Sequence, residues 1–268
     1  MTPRSTTAAT SFDVREFART VQGSHREEID TAAVASAGLA TDVVHLVRVL
    51  RDLERATLQR MRNLLVTATH KDARVTAFLT SWAFEKFWIA DALDAVLEAA
   101  GAGLDPLEGP LRRTLAERAE RRGPVRRAIA GNLAGAQLVA AHVTTGLVDE
   151  WISQAAYRRL GAAVSVLAAL AARLVDLKDR HVAFLAEEAE RRLGASARAV
   201  KLTRKAIAQA AWPIGAIEIP DADRTFFEAF VFGDAEGRAA AARIATSLAA
   251  LPGLGSIPGD TVAARLAP

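Results

Sequence analysis

The sequence predicts an all-α protein, on three observations. Ala leads a hydrophobic complement of 51%, with only 6% aromatic residues, and Leu, Arg and Glu add further good helix formers. Apolar residues recur at helical spacing through long segments, while strand-type alternation of Val, Ile, Thr and Tyr is nowhere sustained. Gly and Pro punctuate the ends of those segments. At 268 residues the chain can bury one large core, or one core with a small appendage.

Residues 1–12 are expected to be disordered, and 12–33 to form a short leading helix held by the sparse anchors Phe12, Phe17 and Val21. Four long helices are then predicted at about 41–69, 72–100, 124–160 and 162–193. Gly101-Ala102-Gly103 closes the second, Pro124 suits a first-turn position of the third, and Gly161 and Gly194 bracket the fourth. Little more than His70-Lys71 separates the first two helices, and about one Gly the last two, so both pairs must be antiparallel neighbours. Between the pairs lie about 23 residues, 101–123, with Pro106 and Pro110. A tight pair, a long crossover and a second tight pair are not a simple up-down bundle. Beyond 195 the sequence predicts helices at 196–211, 223–232 and 234–251. They form a cap on the bundle, because Phe226, Phe227, Phe230 and Phe232 need burial. The expected division is a disordered 1–12, a bundle over 13–195 and a packed extension over 196–268.

Composition removes several function classes. There is no cysteine, hence no disulfide scaffold, thiolate metal site or Cys nucleophile. The first ten residues contain no apolar run of the secretory type, and the most apolar stretch, 161–172, is too short to span a bilayer. A soluble cytoplasmic protein without a membrane partner is expected. The sequence pI is 9.7, yet 34 Lys and Arg stand against 31 Asp and Glu, a net charge of +3. So weak a field does not point to nucleic acid. The basic clusters at 112–127 and 191–205 are mixed with Glu and read as solvated surface. No phosphate loop, Ser/His/Asp arrangement or zinc spacing occurs.

Charged residues inside apolar stripes are the informative ones, because burying an unpaired charge is costly. Glu54 lies in the stripe Val47, Leu50, Leu58, Met61, Leu65; Glu85 in Phe78, Trp82, Trp88, Ala92, Val96. Glu150 lies in Val139, Val143, Gly146, Ser153, Tyr157, and Lys178 and His181 accompany Leu167, Leu170, Leu174 and Leu185. One polar position in mid-stripe on each of four helices is what converging side chains require.

These residues resemble the ferritin-like superfamily of di-iron carboxylate bundles, over about residues 41–193. Its pattern is Glu on the first helix, Glu-x-x-His on the second, Glu on the third and Glu-x-x-His on the fourth. Glu54, Glu85, Glu150 and His181 match, while Trp88 stands where a His is expected and Lys178 where a Glu is expected. Trp82 and Tyr157 sit near the matched positions and would line the centre. The resemblance implies a ferritin-like four-helix bundle with a degenerate di-metal centre. An ammonium about 4 Å from a dication would be repelled by roughly 8 kcal/mol at an effective dielectric near 20. Lys178 is therefore expected to replace the metal charge, paired with Glu150 and Glu85, with an extra proton on His181 or a carboxyl and Trp88 filling the vacated volume. No metal cofactor is then expected, and the function is a binding or assembly module, dimeric as the family often is. The alternative is one Fe or Mn ion at Glu54, Glu85, Glu150 and His181, in an oxidoreductase of the desaturase or oxidase type. That enzyme would act on a hydrophobic small molecule or dock an acidic carrier protein. Of the other histidines, His45 is expected at the surface, His70 at a helix C-terminus and His142 as a satisfied core residue.

Overall fold

The computed structural model describes residues 11–105, 135–217 and 219–267, and every regular element among them is helical. Residues 1–10, the start of the third predicted helix and the basic cluster 112–127 lie outside the described residues. The leading segment is broken in three: α1 (Val14–Arg19), a 3-10 turn (Arg26–Glu28) and α2 (Thr31–Ala37). Asp13 and Asp30 explain the breaks, since each caps the helix after it by accepting backbone N–H groups.

The four long helices are α3 (Thr41–Leu65), α4 (Ala73–Ala99), α5 (Leu138–Ala163) and α6 (Ala168–Ala195). Asp72 caps α4 through the amide of Val75, and Gly101, at φ +68, takes the left-handed conformation just past its end. α3 packs chiefly on α4, and α5 on α6. The α5–α6 turn comes later than expected, at Val164 and a 3-10 turn (Ser165–Leu167). Gly161 lies inside α5, where a Cβ would stand 3.0 Å from that of Ala171; its role is close helix approach rather than helix termination.

The C-terminal region forms α7 (Ala197–Gln209), α8 (Asp221–Phe232), α9 (Ala235–Ala250) and α10 (Ser256–Leu266). Ile207, Trp212, Phe227, Phe232, Leu248 and Leu266 are buried in one apolar cluster continuous with the bundle. Sequence reasoning missed α10 because its first turn reads Ser-Ile-Pro-Gly. Pro258 is tolerated there, where its N–H would have no partner, and Gly259 lets α10 cross close to α9 at the carbonyl of Ala245. No helix among the described residues is long and apolar enough to cross a membrane.

Charged layers run through the core on either side of the bundle centre. Arg51, fully buried, binds Asp52, Asp94 and the carbonyls of Leu104 and Asp105, and so ties the chain leaving α4 back to α3. Glu188, also fully buried, is held by Arg74, Arg191 and Arg192. Arg192 and Arg204 of the second basic cluster are thus structural, Arg204 donating to the carbonyls of Gly253 and Leu254. His45 departs from expectation: it is half-buried, 2.5 Å from Asp223 and stacked on Phe226. His70 contacts the carbonyl of Thr67 just after α3.

His142 is a satisfied interior group, 2.7 Å from Thr69 Oγ1, where α5 meets the α3–α4 turn. Burial, reinforced by the Arg60 charge, pushes its imidazole down to about 4. The unfolded chain takes up this proton first as pH falls from the ordinary 6.5, so the stability contribution is complete above 6.5 and lost as pH falls through about 4. Urea unfolding at pH 7 and pH 4.5 should show His142→Gln losing about 2 kcal/mol less than the parent over that interval. Identical losses would remove this account.

Candidate functional site

Four charges of alternating sign meet at the bundle centre, one from each long helix. Glu54 on α3 and Glu150 on α5 are bridged twice, by Lys86 on α4 and Lys178 on α6. Lys178 Nζ lies 2.8 Å from Glu54 Oε1 and 3.1 Å from Glu150 Oε2. Lys86 Nζ lies 2.9 Å from Glu54 Oε2 and 3.1 Å from Glu150 Oε1. Each carboxylate therefore gives one oxygen to each ammonium, and the four groups close into a ring. All four side chains are at most 3% exposed.

The surroundings repeat the ring's pseudo-symmetry. Tyr157 donates to Glu54 Oε1 at 2.9 Å, and Trp82 Nε1 donates to Glu150 Oε1 at 2.6 Å. Lys178 sits 5.4 Å from the Tyr157 ring centre and Lys86 5.0 Å from that of Trp82. Every ammonium thus has two carboxylate oxygens and an aromatic face, and every carboxylate has two ammonium groups and one neutral donor.

The electrostatics follow from this closure. Burial alone would raise the Glu54 and Glu150 carboxyls, but Lys178 and then Lys86 outweigh it and hold both below the ordinary 4.5, Glu150 by far the more. Burial would depress Lys86, yet Glu150 and Glu54 hold it above the ordinary 10.5. Burial and the neighbouring Glu54 charge push the Tyr157 hydroxyl well up. The carboxylate contribution is complete above about 4.5 and lost as pH falls through the lowered values; that of Lys86 is complete below about 10.5 and lost as pH rises through its raised value. Glu54, Glu150, Lys86 and Tyr157 are thus all moved away from neutral pH, and none is poised for proton transfer there.

Beside the ring lies a second pair. His181 Nε2 is 2.7 Å from Glu85 Oε2, while His181 Nδ1, 3.6 Å from Glu150 Oε2, is beyond hydrogen-bond reach. Glu85 Oε1 accepts the backbone N–H of Gln22 at 2.7 Å and has Arg180 at 3.5 Å. Phe17 and Phe78 pack edge-on against the imidazole.

Of the predicted site residues, Glu54, Glu85, Glu150, Lys178, His181, Trp82 and Tyr157 come together, and Trp88 does not. Lys178 pairs with Glu150 as expected, but its second partner is Glu54 rather than Glu85. Trp88 is half-buried and lies edge-on to Phe84 and Phe87, which are 45% and 50% exposed. It therefore fills no vacated space at the centre. Lys86 is the residue that sequence reasoning missed. At 100° per residue, Lys86 lies about 40° from Trp82 on the helical wheel, Glu85 about 60° on the other side and Trp88 about 120°. The stripe Trp82, Lys86, Ile89, Leu93 carried the signal. Asp149 was missed as well; burial raises its carboxyl, which accepts the N–H of Ile214 at 2.8 Å.

The donor set does not fit a metal pair. Both oxygens of Glu54 and of Glu150 are taken by ammonium groups, and a dication about 4 Å from two of them would meet repulsion of roughly 17 kcal/mol at a dielectric near 20. The space beside Trp82, lined by Leu79, Val143 and Leu185 rather than by Phe84, Phe87 and Trp88, has room of ≈ 10 Å³, about that of one water. No family model, no curated protein and no solved structure matches this chain.

Removing one ring member strands a buried charge. Lys86→Met should destabilise the protein by about 3–5 kcal/mol in denaturant unfolding. Adding Glu54→Gln to it should cost well under the sum of the two single variants. Additive losses would mean that the ring is not a coupled unit.

Proposed function

We propose that this chain is a metal-independent, ferritin-like bundle protein in which two lysine ammonium groups stand in for a metal pair, and that it acts as a binding or assembly module. The observation that carries the reading is the double bridging of Glu54 and Glu150 by Lys86 and Lys178. Two cations held between two carboxylates, each carboxylate spanning both, is the charge arrangement of a carboxylate-bridged metal pair with +1 ions in place of dications. Lys86 strengthens this reading beyond what Lys178 alone supplied, because the ring is neutral: two positive charges against two negative. The match of Glu54, Glu85, Glu150 and His181 to the ferritin-like pattern supports a centre of that descent.

An assembly role is favoured over catalysis by what surrounds the centre. Each oxygen of Glu54 and of Glu150 faces an ammonium group, and the space beside Trp82 has room of only ≈ 10 Å³. On the outward side of α4, Phe84, Phe87 and Trp88 form an aromatic group with two exposed rings. Such a group is the kind of surface a second copy of the chain would cover. The oxidoreductase reading would need an iron or manganese ion to displace at least one lysine from the ring.

Two measurements test the proposal. Protein produced with excess iron and manganese should contain far less than one ion per chain by elemental analysis, while a Lys86→Ala/Lys178→Glu variant should gain metal; stoichiometric metal in the parent would reverse the reading. Light scattering should find a dimer that Phe84→Glu/Phe87→Glu converts to monomer with its helical content intact. A parent that is monomeric at about 100 μM, well above the dissociation constant of a stable dimer, would remove the dimer face.

A further inference from the structure

We propose that the groove between α5 and α9 binds a small aromatic carboxylate, independently of the buried ring. The groove encloses ≈ 130 Å³ and is built on two helical faces: Trp151, Ala155 and Arg158 on α5, Arg243 and Ile244 on α9, with Arg159 at its edge. Residues 151, 155 and 158 recur at helical spacing, so one face of α5 presents a flat indole and a guanidinium together.

Charge decides the class of ligand. Arg159 is fixed by Asp234 and by Glu236 at 3.0 Å, and its Nε is buried with no partner among the described residues. Arg158 and Arg243 are exposed and have no ion partner among the described residues. Three guanidinium groups against Asp234 and Glu236 leave 3 − 2 = +1 at the groove. A monoanion neutralises that charge, whereas a dianion would overshoot it. A carboxylate accepts paired N–H bonds from guanidinium groups in a geometry that their planar forks match.

Size and lining decide the rest. At ≈ 130 Å³ the groove is slightly smaller than the ~150 Å³ cavity that holds benzene, so it takes at most a single ring, with the carboxylate at its open side, and not a fused or extended body. Trp151, Ala155 and Ile244 offer apolar contact for that ring, with Trp151 packed on the core and so held in place. Ser247 adds a hydroxyl at the rim.

Calorimetric titration of the full chain with benzoate tests the proposal, with acetate as charge without a ring, benzyl alcohol as ring without a charge, and phenyl phosphate as a dianion. Saturable 1:1 benzoate binding is expected, with the other three probes at least about tenfold weaker. Arg158→Ala/Arg243→Ala should weaken benzoate by about tenfold or more while leaving thermal unfolding unchanged, since both side chains are exposed. Absence of saturable benzoate binding, or binding unaltered in the double variant, overturns the site. Acetate as tight as benzoate overturns the ring contact, and phenyl phosphate tighter than benzoate overturns the choice of carboxylate. Each outcome is separable from the metal and assembly measurements, which involve none of these residues.

Discussion

A charge buried in a helical core is tolerated only where its partners are fixed, and here the partners come from four different helices. Glu54, Lys86, Glu150 and Lys178 alternate in sign around a closed path with one member on each of α3, α4, α5 and α6. Sliding any one helix by a single residue would turn its member about 100° away and leave two opposite charges short of a partner in a buried site. Leucine and valine side chains impose no such penalty, since a shifted aliphatic stripe finds other aliphatic neighbours. The ring therefore specifies register among all four helices, which apolar packing alone does weakly. Its net contribution to stability is small beside its gross Coulomb energy, because desolvation of four ions offsets most of the attraction.

Much of this arrangement was legible in the sequence, and what was not has physical causes. A Glu among Val and Leu at positions 54 and 150 announces burial through the cost of isolating it, as do Lys178 and His181. The antiparallel pairing followed from connection lengths. Lys86 was hidden because the helical stripe was drawn through Glu85 and Trp88, about a third of a turn from its true centre. A lysine next to a glutamate reads as a surface pair when the stripe is misplaced. Arg51 and Glu188 were hidden differently: Arg51 is held by backbone carbonyls distant in sequence, and Glu188, beside Arg191 and Arg192, reads as a solvated helix pair because its third partner, Arg74, is far away in the chain. The breaks in the leading segment were visible as Asp13 and Asp30, two capping residues that the sparse anchors Phe12, Phe17 and Val21 had overshadowed.

The C-terminal helices show the same balance between local signal and close packing. Of the four phenylalanines expected to need cover, Phe227 and Phe232 are buried in the apolar cluster, and Phe226 and Phe230 are partly buried against it. α10 escaped notice because Pro258 and Gly259 look like punctuation. One occupies the turn of a helix where a missing donor is harmless, and the other the only side-chain size that clears the Ala245 carbonyl. Gly161 repeats the lesson, a residue chosen for what lies opposite it rather than for its own backbone freedom.

The chain ahead of α3 touches one half of the buried centre and not the other. Gln22 gives its amide to Glu85, Phe17 flanks His181, and Arg74 and Glu187 grip the backbone of Phe12. No residue before 41 contacts the lysine ring among the interactions described here. A proteolytic cut that frees this leading strap would thus uncover the imidazole–carboxylate pair while the neighbouring quartet stayed buried, so that two adjacent parts of a single polar interior answer to different lengths of polypeptide.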